Sequence, residues 1–320
     1  MKHLFLINPI AAKVKGRVRE RVDEIEAFFR DMGKSNYHIH VTRWARDGMG
    51  YANRFAQNSS EPVRIHAMGG SGMLFEAING TAGLANVQIA AYPMGINNFF
   101  IHYFGADKEH LFASIANQVY SDVTPIDLMC NKNIYGVGYI TIGLEAVIDR
   151  YTSDIMGRTN LPYNLSCILA VVRAITRSKA IMQHYEIDID GKDYSGEYAT
   201  MLIAGGPCYG SNMTPAPEAH PNDGLMDIYL MKKMSKIKML QSVQAYAAGG
   251  HRGLGGLVLH ERGRKISVLA ECDIIMSMDN EKFYERSVSY EVIPAAIEFV
   301  CPNGIDVSEL PLIYSRKGQK

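Results

Sequence analysis

The 320-residue sequence lacks an excess of charge of either sign, since 33 Lys and Arg residues stand against 33 Asp and Glu residues. Proteins that bind nucleic acids without sequence preference depend on a basic excess, so this class is excluded and no nucleic-acid partner is expected. Hydrophobic residues make up 47% of the chain and charged residues 21%, a composition that can bury a core. Disordered and collagen-like chains are therefore excluded as well.

Cysteines are few and widely spaced. The 5 cysteines form no CxxC pair, and their odd number argues against a disulfide framework or a zinc site. They are Cys130, Cys167, Cys208, Cys272 and Cys301. This usage favours a reducing compartment, and we expect the protein in the cytoplasm.

Long hydrophobic runs are also missing. The longest apolar stretch, Leu165–Ile175, is interrupted by Arg173. It is shorter than the roughly 18 residues that a membrane-spanning helix needs, so no transmembrane helix is expected. The apolar start of the chain is interrupted at Asn8-Pro9 and is followed by basic residues, which predicts a first strand rather than an export signal.

Residues 1–124 predict an α/β domain. Short apolar runs alternate with helical periodicity, which is typical of a Rossmann-like layer with a parallel sheet. Ligands of such folds bind at the carboxyl ends of the strands, so the turns that follow the strands are candidate site segments. The predicted elements are the strands His3–Ile7, Tyr37–Val41, Val63–Met68 and Val87–Ala91 and a helix over Arg17–Asp31.

Residues 125–303 predict a second domain that resembles an antiparallel β-sandwich with helices. Runs with period-2 alternation are separated by turn residues, and Asp190-Gly191 is a pair that type I′ hairpin turns favour. Two helices are predicted, one over Asn164–Ala180 and one from a Ser235 cap to Gly249-Gly250. The predicted strands are Ile126–Leu128, Ile134–Ile140, Ile181–Ile189, Ala199–Ala204, Leu225–Leu230, Lys265–Leu269 and Ile274–Asp279.

The strongest local motif follows the third predicted strand, where three glycines occur within four residues. This loop consists of Gly69, Gly70, Ser71 and Gly72. A strand that leads through such a loop into a helix presents backbone N–H groups at the helix N-terminus, where hydrogen bonds and the helix dipole stabilise a phosphate. The alternative is a tight turn in which glycine is needed for positive φ.

The order of the motifs resembles that of the diacylglycerol kinase catalytic-domain family, which includes bacterial lipid kinases and sphingosine kinases. Asn8-Pro9 resembles the NP loop of that family, Gly69–Gly80 its GGDGTxxEVxNG motif, and Pro93–Phe99 its PxGTxNDF motif. Three later segments follow in family order and resemble its I-G-x, P-x-A…DDGxLD and LDGE motifs: Ile142-Gly143, Pro217–Asp227 and Met278–Glu281. A generic Rossmann glycine loop would match only one of these segments.

The resemblance implies a nucleotide domain and a lipid domain, with ATP and Mg²⁺ between them. The implied reaction is transfer of the γ-phosphoryl group to a hydroxyl of a diacylglycerol-like or sphingoid lipid. The implied nucleotide site contains Asn8, Gly69, Gly70, Ser71, Gly72, Glu76, Pro93, Gly95 and Asn97. Residues 304–320 are implied to return to the first domain.

The same resemblance implies that Asp279 is the general base and that Glu281 supports it. Carboxylates at i and i+2 of a strand lie on one face, where one can accept a hydroxyl proton while the other orients it. The alternative is a solvated strand end in which Glu281 pairs with Lys282 or Arg286.

An acidic segment with Glu218, Asp223 and Asp227 resembles the part of the family that supports Mg²⁺ and a hydrogen-bond network near the domain junction. Asp223-Gly224 is also a common turn before a strand. Both interpretations stay open.

The sequence departs from the family pattern where nucleotide and metal are expected. Ser71 stands in the position of the motif Asp, and a serine has no charge to neutralise a cation. Phosphoryl transfer depends on such positioning. Other departures are Met73, Ile96, Asn98 and Asn280. Three interpretations therefore remain: a lipid kinase, a pseudokinase that binds nucleotide without turnover, and a lipid carrier or sensor. A polyphosphate or NAD kinase-like enzyme would share the glycine motif but would not predict an acyl-sized pocket.

Basic residues next to apolar ones occur near the start of the second predicted helix, at Lys232, Lys233, Lys236 and Lys238. Such a surface can rest on an anionic bilayer, with about 1 kcal/mol from each basic residue, and a solvated helix face is the alternative. The expected partners are a lipid substrate, the inner face of a membrane and a second copy of the chain in a homodimer.

Overall fold

The structure is a computed structural model that describes residues 1–96, 98–177, 183–209, 213–250 and 254–305. Its N-terminal part alternates strands and helices, and the four strands pair in parallel in the order β2-β1-β3-β4. These elements are β1 (Lys2–Ile7), α1 (Val18–Asp31), β2 (Tyr37–Val41), α2 (Asp47–Gln57), β3 (Val63–Gly69), α3 (Ser71–Thr81) and β4 (Val87–Pro93). The predicted α/β class is confirmed.

Short helices lead from β4 into the second part of the chain. These elements are α4 (Phe99–His102), a 3₁₀ turn (Ala106–Lys108), α5 (Glu109–Ala113) and α6 (Ile115–Tyr120). The β-rich part begins with β5 (Val123–Asn131), β6 (Ile134–Gly136), β7 (Tyr139–Gly143), α7 (Leu144–Arg158) and α8 (Tyr163–Arg177). It continues with β8 (Gln183–Ile189), β9 (Lys192–Asp193), β10 (Gly196–Ala204), β11 (Met226–Lys232), α9 (Lys236–Ala247), β12 (Val258–Gly263), β13 (Lys265–Met278) and β14 (Glu281–Val300).

Antiparallel pairing dominates this second part, as predicted. Asp190 and Gly191 both have positive φ, 50° and 82°, and they connect β8 to β9 as the expected I′-type pair. The Ser235 hydroxyl accepts a hydrogen bond from the backbone N–H of Lys238 and caps α9. Residues 178–182, at the end of the first predicted helix and the start of a predicted strand, lie outside the described residues.

The long strand β14 connects the two parts into one hydrogen-bonded sheet. Its first half pairs with β13, it also pairs with β5 in antiparallel fashion, and Glu298 and Phe299 pair in parallel with β4. The chain thus reaches the N-terminal sheet before residue 304, while residues 306–320 lie outside the described residues. The division at residues 124 and 125 stays a prediction.

A buried polar chain crosses the N-terminal core. His3 Nδ1 lies 3.0 Å from His66 Nε2, and His66 Nδ1 lies 3.0 Å from the Tyr92 hydroxyl. The His66 ring also stacks on Phe5. Burial, with a smaller contribution from the nearby Arg64 guanidinium, lowers the pKa of His3 from 6.5 to about 4. This histidine is therefore neutral in the folded protein at neutral pH.

The lowered pKa of His3 predicts a loss of stability in acid. Below pH 6.5 the unfolded chain binds a proton at this site and the folded chain does not, so the free energy of unfolding falls until about pH 4. The expected loss from this residue is about 3 kcal/mol. The free energy of unfolding, measured with urea, should change more steeply with pH across this range in the wild type than in His3→Phe. His184→Phe, which changes an exposed histidine, is the control and should keep the wild-type slope. Equal slopes for all three proteins would contradict the lowered pKa of His3.

Candidate functional site

Three loops meet at the carboxyl edge of the N-terminal sheet, as their positions after β1, β3 and β4 predict. The backbone N–H of Asn8 donates to Met68 O over 3.1 Å, and that of Lys13 donates to Met94 O over 3.0 Å. The N–H groups of Met94 and Gly95 both donate to Gly69 O. Because these bonds join all three loops, the edge has a fixed backbone geometry.

The glycine loop passes directly into α3, which begins at Ser71, and its N-cap residue is Gly70, which has no side chain to bond the first amides. Neither Gly69, Gly70 nor Gly72 has positive φ, so the alternative of a positive-φ turn is wrong. Gly69 is needed for close packing, because a Cβ there would lie 2.6 Å from Met73 Cβ. A Cβ at Gly72 would meet nothing within 4 Å. The first turn of α3 is therefore open enough for an anion to approach its amides.

Other residues of the predicted nucleotide site have structural partners. Asn8 Oδ1 accepts a hydrogen bond from Ile10 N and shapes the first loop, and Pro93 pairs with Gly69 in the sheet. The Glu76 carboxylate accepts hydrogen bonds from the N–H groups at the start of α2, those of Arg46 and Met49. Asn97 lies outside the described residues. The roles of these residues toward a nucleotide stay predictions.

The hairpin between β13 and β14 carries the predicted base. Asp279 and Asn280 have φ values of 49° and 74°, so they form the two-residue turn of this hairpin. Asparagine tolerates positive φ better than most residues, which fits its presence where the family motif has glycine. Asp279 is thus a turn residue, and the strand geometry expected to place it on one face with Glu281 does not apply.

The Asp279 carboxylate is held by three consecutive backbone amides of the β6–β7 loop. Oδ2 accepts from Val137 N over 2.7 Å, and Oδ1 accepts from Gly138 N and Tyr139 N over 3.0 and 2.9 Å. Asp279 is only 1% exposed, and burial raises its pKa to about 6, although the three N–H bonds partly offset the rise. A carboxyl with this pKa is mostly ionised at neutral pH.

The hairpin turn faces the glycine loop. Asn280 Nδ2 donates to Ser71 Oγ over 3.5 Å, and Asn280 Oδ1 accepts from the Tyr139 hydroxyl over 2.9 Å. Glu281 begins β14 and is half-buried. The structure therefore brings the acidic hairpin of one domain against the predicted phosphate loop of the other.

The alternative partners considered for Glu281 have other contacts. Lys282 Nζ donates to Ser153 Oγ and lies 3.5 Å from Asp149 Oδ2. Arg286 Nε donates to Ala270 O. Neither cation forms an ion pair with Glu281 in the part of the chain that the structure describes, so that alternative is wrong.

A mostly apolar cavity of about 140 Å³ starts at this contact. Asn280 and Tyr139 line it, and α7, α8 and α9 form its walls together with β7, β10 and β11. Its apolar lining includes Leu144, Ile148, Val171, Met231, Met239 and Val243. The cavity could accept a hydrocarbon chain whose polar end lies near Ser71.

The acidic segment forms ion pairs within the protein. Arg262 pairs with Asp223 and lies 3.4 Å from Asp227 Oδ2, while His260 Nε2 lies 2.6 Å from Asp227 Oδ1. His260 Nδ1 lies 3.5 Å from a Glu218 oxygen. In the described ranges no group of three or more His, Cys, Asp or Glu side chains is arranged to hold a metal ion. Arg262 supplies a cation here, and the metal role of the three acids stays a prediction.

The turn interpretation of this segment has direct structural support. Asp223 Oδ1 accepts from Leu225 N, and Gly224 has a φ of 73°. Sequence reasoning missed the buried Asp127 of β5, which accepts from Gly224 N over 2.7 Å and from Ala295 N over 2.8 Å. Asp127 thus joins the turn to β14. A single acidic residue inside a predicted strand does not indicate such a role.

Comparisons with known proteins find matches for both halves of the chain. Residues 2–130 match the Diacylglycerol kinase catalytic domain, and residues 138–301 match the YegS C-terminal NAD kinase beta sandwich-like domain. A "Putative lipid kinase" of Staphylococcus aureus strain Newman is 29% identical over 247 residues, which are 75% of this chain and 78% of that protein. Its namesake from strain Mu3 is 28% identical over 246 residues, with the same coverage.

Solved structures share the fold over nearly the whole chain. A crystal structure described as a "putative diacylglycerol kinase from Bacillus anthracis str. Sterne" superposes with a TM-score of 0.71 and 20% identity. The match covers 95% of this chain and 98% of that one. A second structure from the same organism, described as a diacylglycerol kinase, gives a TM-score of 0.67 and 19% identity.

Proposed function

The chain belongs to the family that combines a diacylglycerol kinase catalytic domain with a YegS C-terminal NAD kinase beta sandwich-like domain, and we propose on that basis that it is an ATP-dependent lipid kinase. It would transfer the γ-phosphoryl group to a hydroxyl of a diacylglycerol-like or sphingoid lipid. The observation that carries this proposal is the position of Asn280, which contacts Ser71 of the glycine loop and also lines the apolar cavity. Phosphate donor and lipid acceptor would therefore meet at the hairpin.

In this proposal Asp279 accepts the proton of the lipid hydroxyl. A carboxylate has about four lone-pair directions, and three N–H bonds leave one for the substrate. The fixed amides keep the acceptor in place, which is what general-base catalysis requires. Glu281, the next acid along the hairpin, would support it.

The residues at this contact fit Mg²⁺ as an ion held mainly by the nucleotide. Mg²⁺ in kinase sites keeps several waters and is bound by one or two protein oxygens together with substrate phosphates. Ser71 Oγ and the Glu281 carboxylate are the protein groups that would bind it, since the Asp279 oxygens already accept three amide bonds. When bound, the ion supplies charge stabilisation to the transferred phosphoryl group.

The second candidate is a pseudokinase that binds nucleotide without turnover, and the neutral Ser71–Asn280 pair favours it. Thermal unfolding with and without Mg-ATP tests the nucleotide site shared by both candidates. Nucleotide at about 100 times its Kd should stabilise the protein by about 2.7 kcal/mol. No shift over a broad range of nucleotide concentrations would contradict both candidates, and a shift without product would favour the pseudokinase.

Ser71→Asp should strengthen the site. The new carboxylate would lie at the first turn of α3, where the helix dipole favours negative charge, and next to the Asn280 amide. We expect Mg²⁺-dependent ATP affinity and turnover to rise about tenfold, which corresponds to about 1.4 kcal/mol. Calorimetric titration of ATP with and without Mg²⁺ measures this, with the neutral Ser71→Asn as control. An equal effect of both substitutions, or no effect of Asp, would contradict the assigned position of the metal.

We further propose that the outer face of α8 contacts a membrane. Four apolar side chains are exposed there by 42–59%, and they are Leu165, Ile168, Leu169 and Val172. The neighbouring start of α9 adds Ile237 and Leu240 together with Lys236 and Lys238, and Lys236 Nζ donates to Thr176 O of α8. Across the described residues, no helix has the length and apolar content to span a bilayer. Since α8 and α9 also form walls of the cavity, a lipid could enter from the bilayer.

Ile168→Asp should weaken sedimentation with anionic vesicles by about tenfold or more, because burial of one such side chain contributes about 1.5–3 kcal/mol. The melting temperature should not change, since Ile168 is exposed. Tyr120→Asp removes an equally exposed apolar residue from α6 and serves as the control. Equal loss in both variants would contradict docking through α8. The homodimer stays a prediction.

A further inference from the structure

Two side chains of β12 lie against the acidic segment. In the ladder of β11 and β12, Arg262 is the direct partner of Asp227, and His260 is the direct partner of Tyr229. Residues opposite each other in an antiparallel pair have their side chains on the same face, with Cβ atoms about 4.5–5.5 Å apart. The register of these strands therefore brings a guanidinium and an imidazole group to the acids.

Arg262 bridges two of the carboxylates. Its Nη2 pairs with Asp223 Oδ2, and its Nε lies 3.4 Å from Asp227 Oδ2. A guanidinium group is always charged, and its donors project in a fixed, planar fork. One arginine can therefore neutralise and connect both acids, as a divalent cation between them would.

His260 holds the other oxygen of Asp227. Its Nε2 lies 2.6 Å from Asp227 Oδ1, and its Nδ1 lies 3.5 Å from Glu218 Oε2. The imidazole ring stacks on that of Tyr229, with centroids 4.3 Å apart and an angle of 4° between the planes. Both oxygens of the buried Asp227 thus face nitrogen atoms of β12, whose positions the sheet and the stacking fix.

Mg²⁺ does not fit this arrangement. It binds oxygen ligands at about 2.0–2.1 Å in a nearly octahedral arrangement, and a neighbouring cation repels it. An ion between Asp223 and Asp227 would have to displace the Arg262 guanidinium group. The oxygens of the nearby Asp127 are directed elsewhere, since each accepts a backbone N–H group. The acids of this segment are therefore arranged around an arginine.

We propose that the guanidinium group of Arg262 takes the place of a divalent cation in the acidic segment. It holds the turn at Asp223 against β11, and Asp127 connects the same turn to β14. The β-rich domain therefore needs no Mg²⁺ for its stability, and Mg²⁺ enters only with the nucleotide. This is the alternative to the metal role predicted for Glu218, Asp223 and Asp227, and it holds for a kinase and a pseudokinase alike.

Thermal unfolding of the nucleotide-free protein, in EDTA and in excess Mg²⁺, tests the role of Arg262. The wild type should melt at the same temperature in both. Arg262→Ala leaves two acids without their cation and should lower the melting temperature in EDTA by about 5 °C. Mg²⁺ should recover much of this loss, because the acids can then bind the ion. Arg264→Ala removes the same charge from an exposed position two residues away and should behave as the wild type.

Arg262→Lys keeps one positive charge and serves as the second variant if Arg262→Ala does not fold. Its melting temperature in EDTA should lie below that of the wild type, because an ammonium group cannot bridge both acids as the guanidinium fork does. Elemental analysis of the dialysed wild type measures retained metal, and we expect no stoichiometric Mg²⁺.

Stoichiometric Mg²⁺ in the wild type, or a rise of its melting temperature in Mg²⁺, would overturn the proposal in favour of a metal site if Asp223→Asn abolished it. The proposal would also be overturned if Arg262→Ala and Arg262→Lys were as stable as Arg264→Ala, or if Mg²⁺ did not raise the melting temperature of Arg262→Ala. Stabilisation by Mg-ATP is measured separately. Its absence would contradict the nucleotide site and leave the role of Arg262 intact.

Discussion

Asp279→Asn is expected to lower lipid phosphorylation by about 100-fold or more, the contribution that a positioned general base makes. The amide cannot accept the hydroxyl proton. It would also turn an NH₂ group toward the backbone amides of the β6–β7 loop, which now donate to both carboxylate oxygens. At least one buried donor would lose its acceptor, and the free energy of unfolding should fall by about 1–3 kcal/mol.

The dependence of kcat on pH gives a second test of Asp279. Its pKa is raised to about 6 by burial, and only the ionised form accepts a proton. Turnover should therefore be constant above this pH and fall by about tenfold for each pH unit below it. Asp190→Asn is the matched control, since Asp190 is also a hairpin-turn acid with positive φ, accepts from the Arg264 and Lys265 amides and does not line the cavity. Turnover of Asp279→Asn close to that of Asp190→Asn would show that another group is the base.

Val243→Trp is expected to block the cavity and abolish the use of long-chain lipids. Val243 lies on α9 and lines the cavity, so an indole ring there would occupy space that the acyl chain needs. Each methylene kept in water costs about 0.8 kcal/mol, so exclusion of four of them lowers lipid affinity by about 100-fold. Stabilisation by Mg-ATP should be unchanged, because the glycine loop is not altered.

Gln244→Trp is the control for this variant, since the next residue of α9 is exposed and does not line the cavity. Lipid affinity is measured by titration and nucleotide binding by thermal unfolding. If Val243→Trp bound long-chain lipids as tightly as Gln244→Trp, the cavity would not be the acyl site.

The glycine loop and its neighbours could be predicted because their geometry is local. A buried strand followed by glycines and a helix constrains the backbone within about twelve residues, and parallel strands bring such loops to one edge. The reason that glycine is needed at Gly69 could not be predicted. It arises from the close approach of the Met73 side chain, which a sequence pattern does not show.

The elements that escaped prediction depend on contacts between distant residues. β14 has 20 residues, contains Pro294 and has an irregularity near Ala295. The alternation of buried and exposed residues along this strand is therefore broken where it passes between the domains. Helix α7 has polar residues on the face that lines the cavity, which weakens its amphipathic pattern. The hairpin acid Asp279 was identified by resemblance alone, since its three donors lie about 140 residues away in the sequence.

Transfer of labelled phosphate tests the lipid kinase proposal most directly. Purified protein is incubated with [γ-³²P]ATP, Mg²⁺ and mixed micelles of dioctanoylglycerol or a sphingoid base, and the lipids are extracted and separated. We expect label in one phosphorylated lipid from the wild type, more from Ser71→Asp, and about 100-fold less or lower from Asp279→Asn. The lipid kinase proposal would be contradicted if neither the wild type nor Ser71→Asp labelled any lipid while both proteins were folded and stabilised by Mg-ATP.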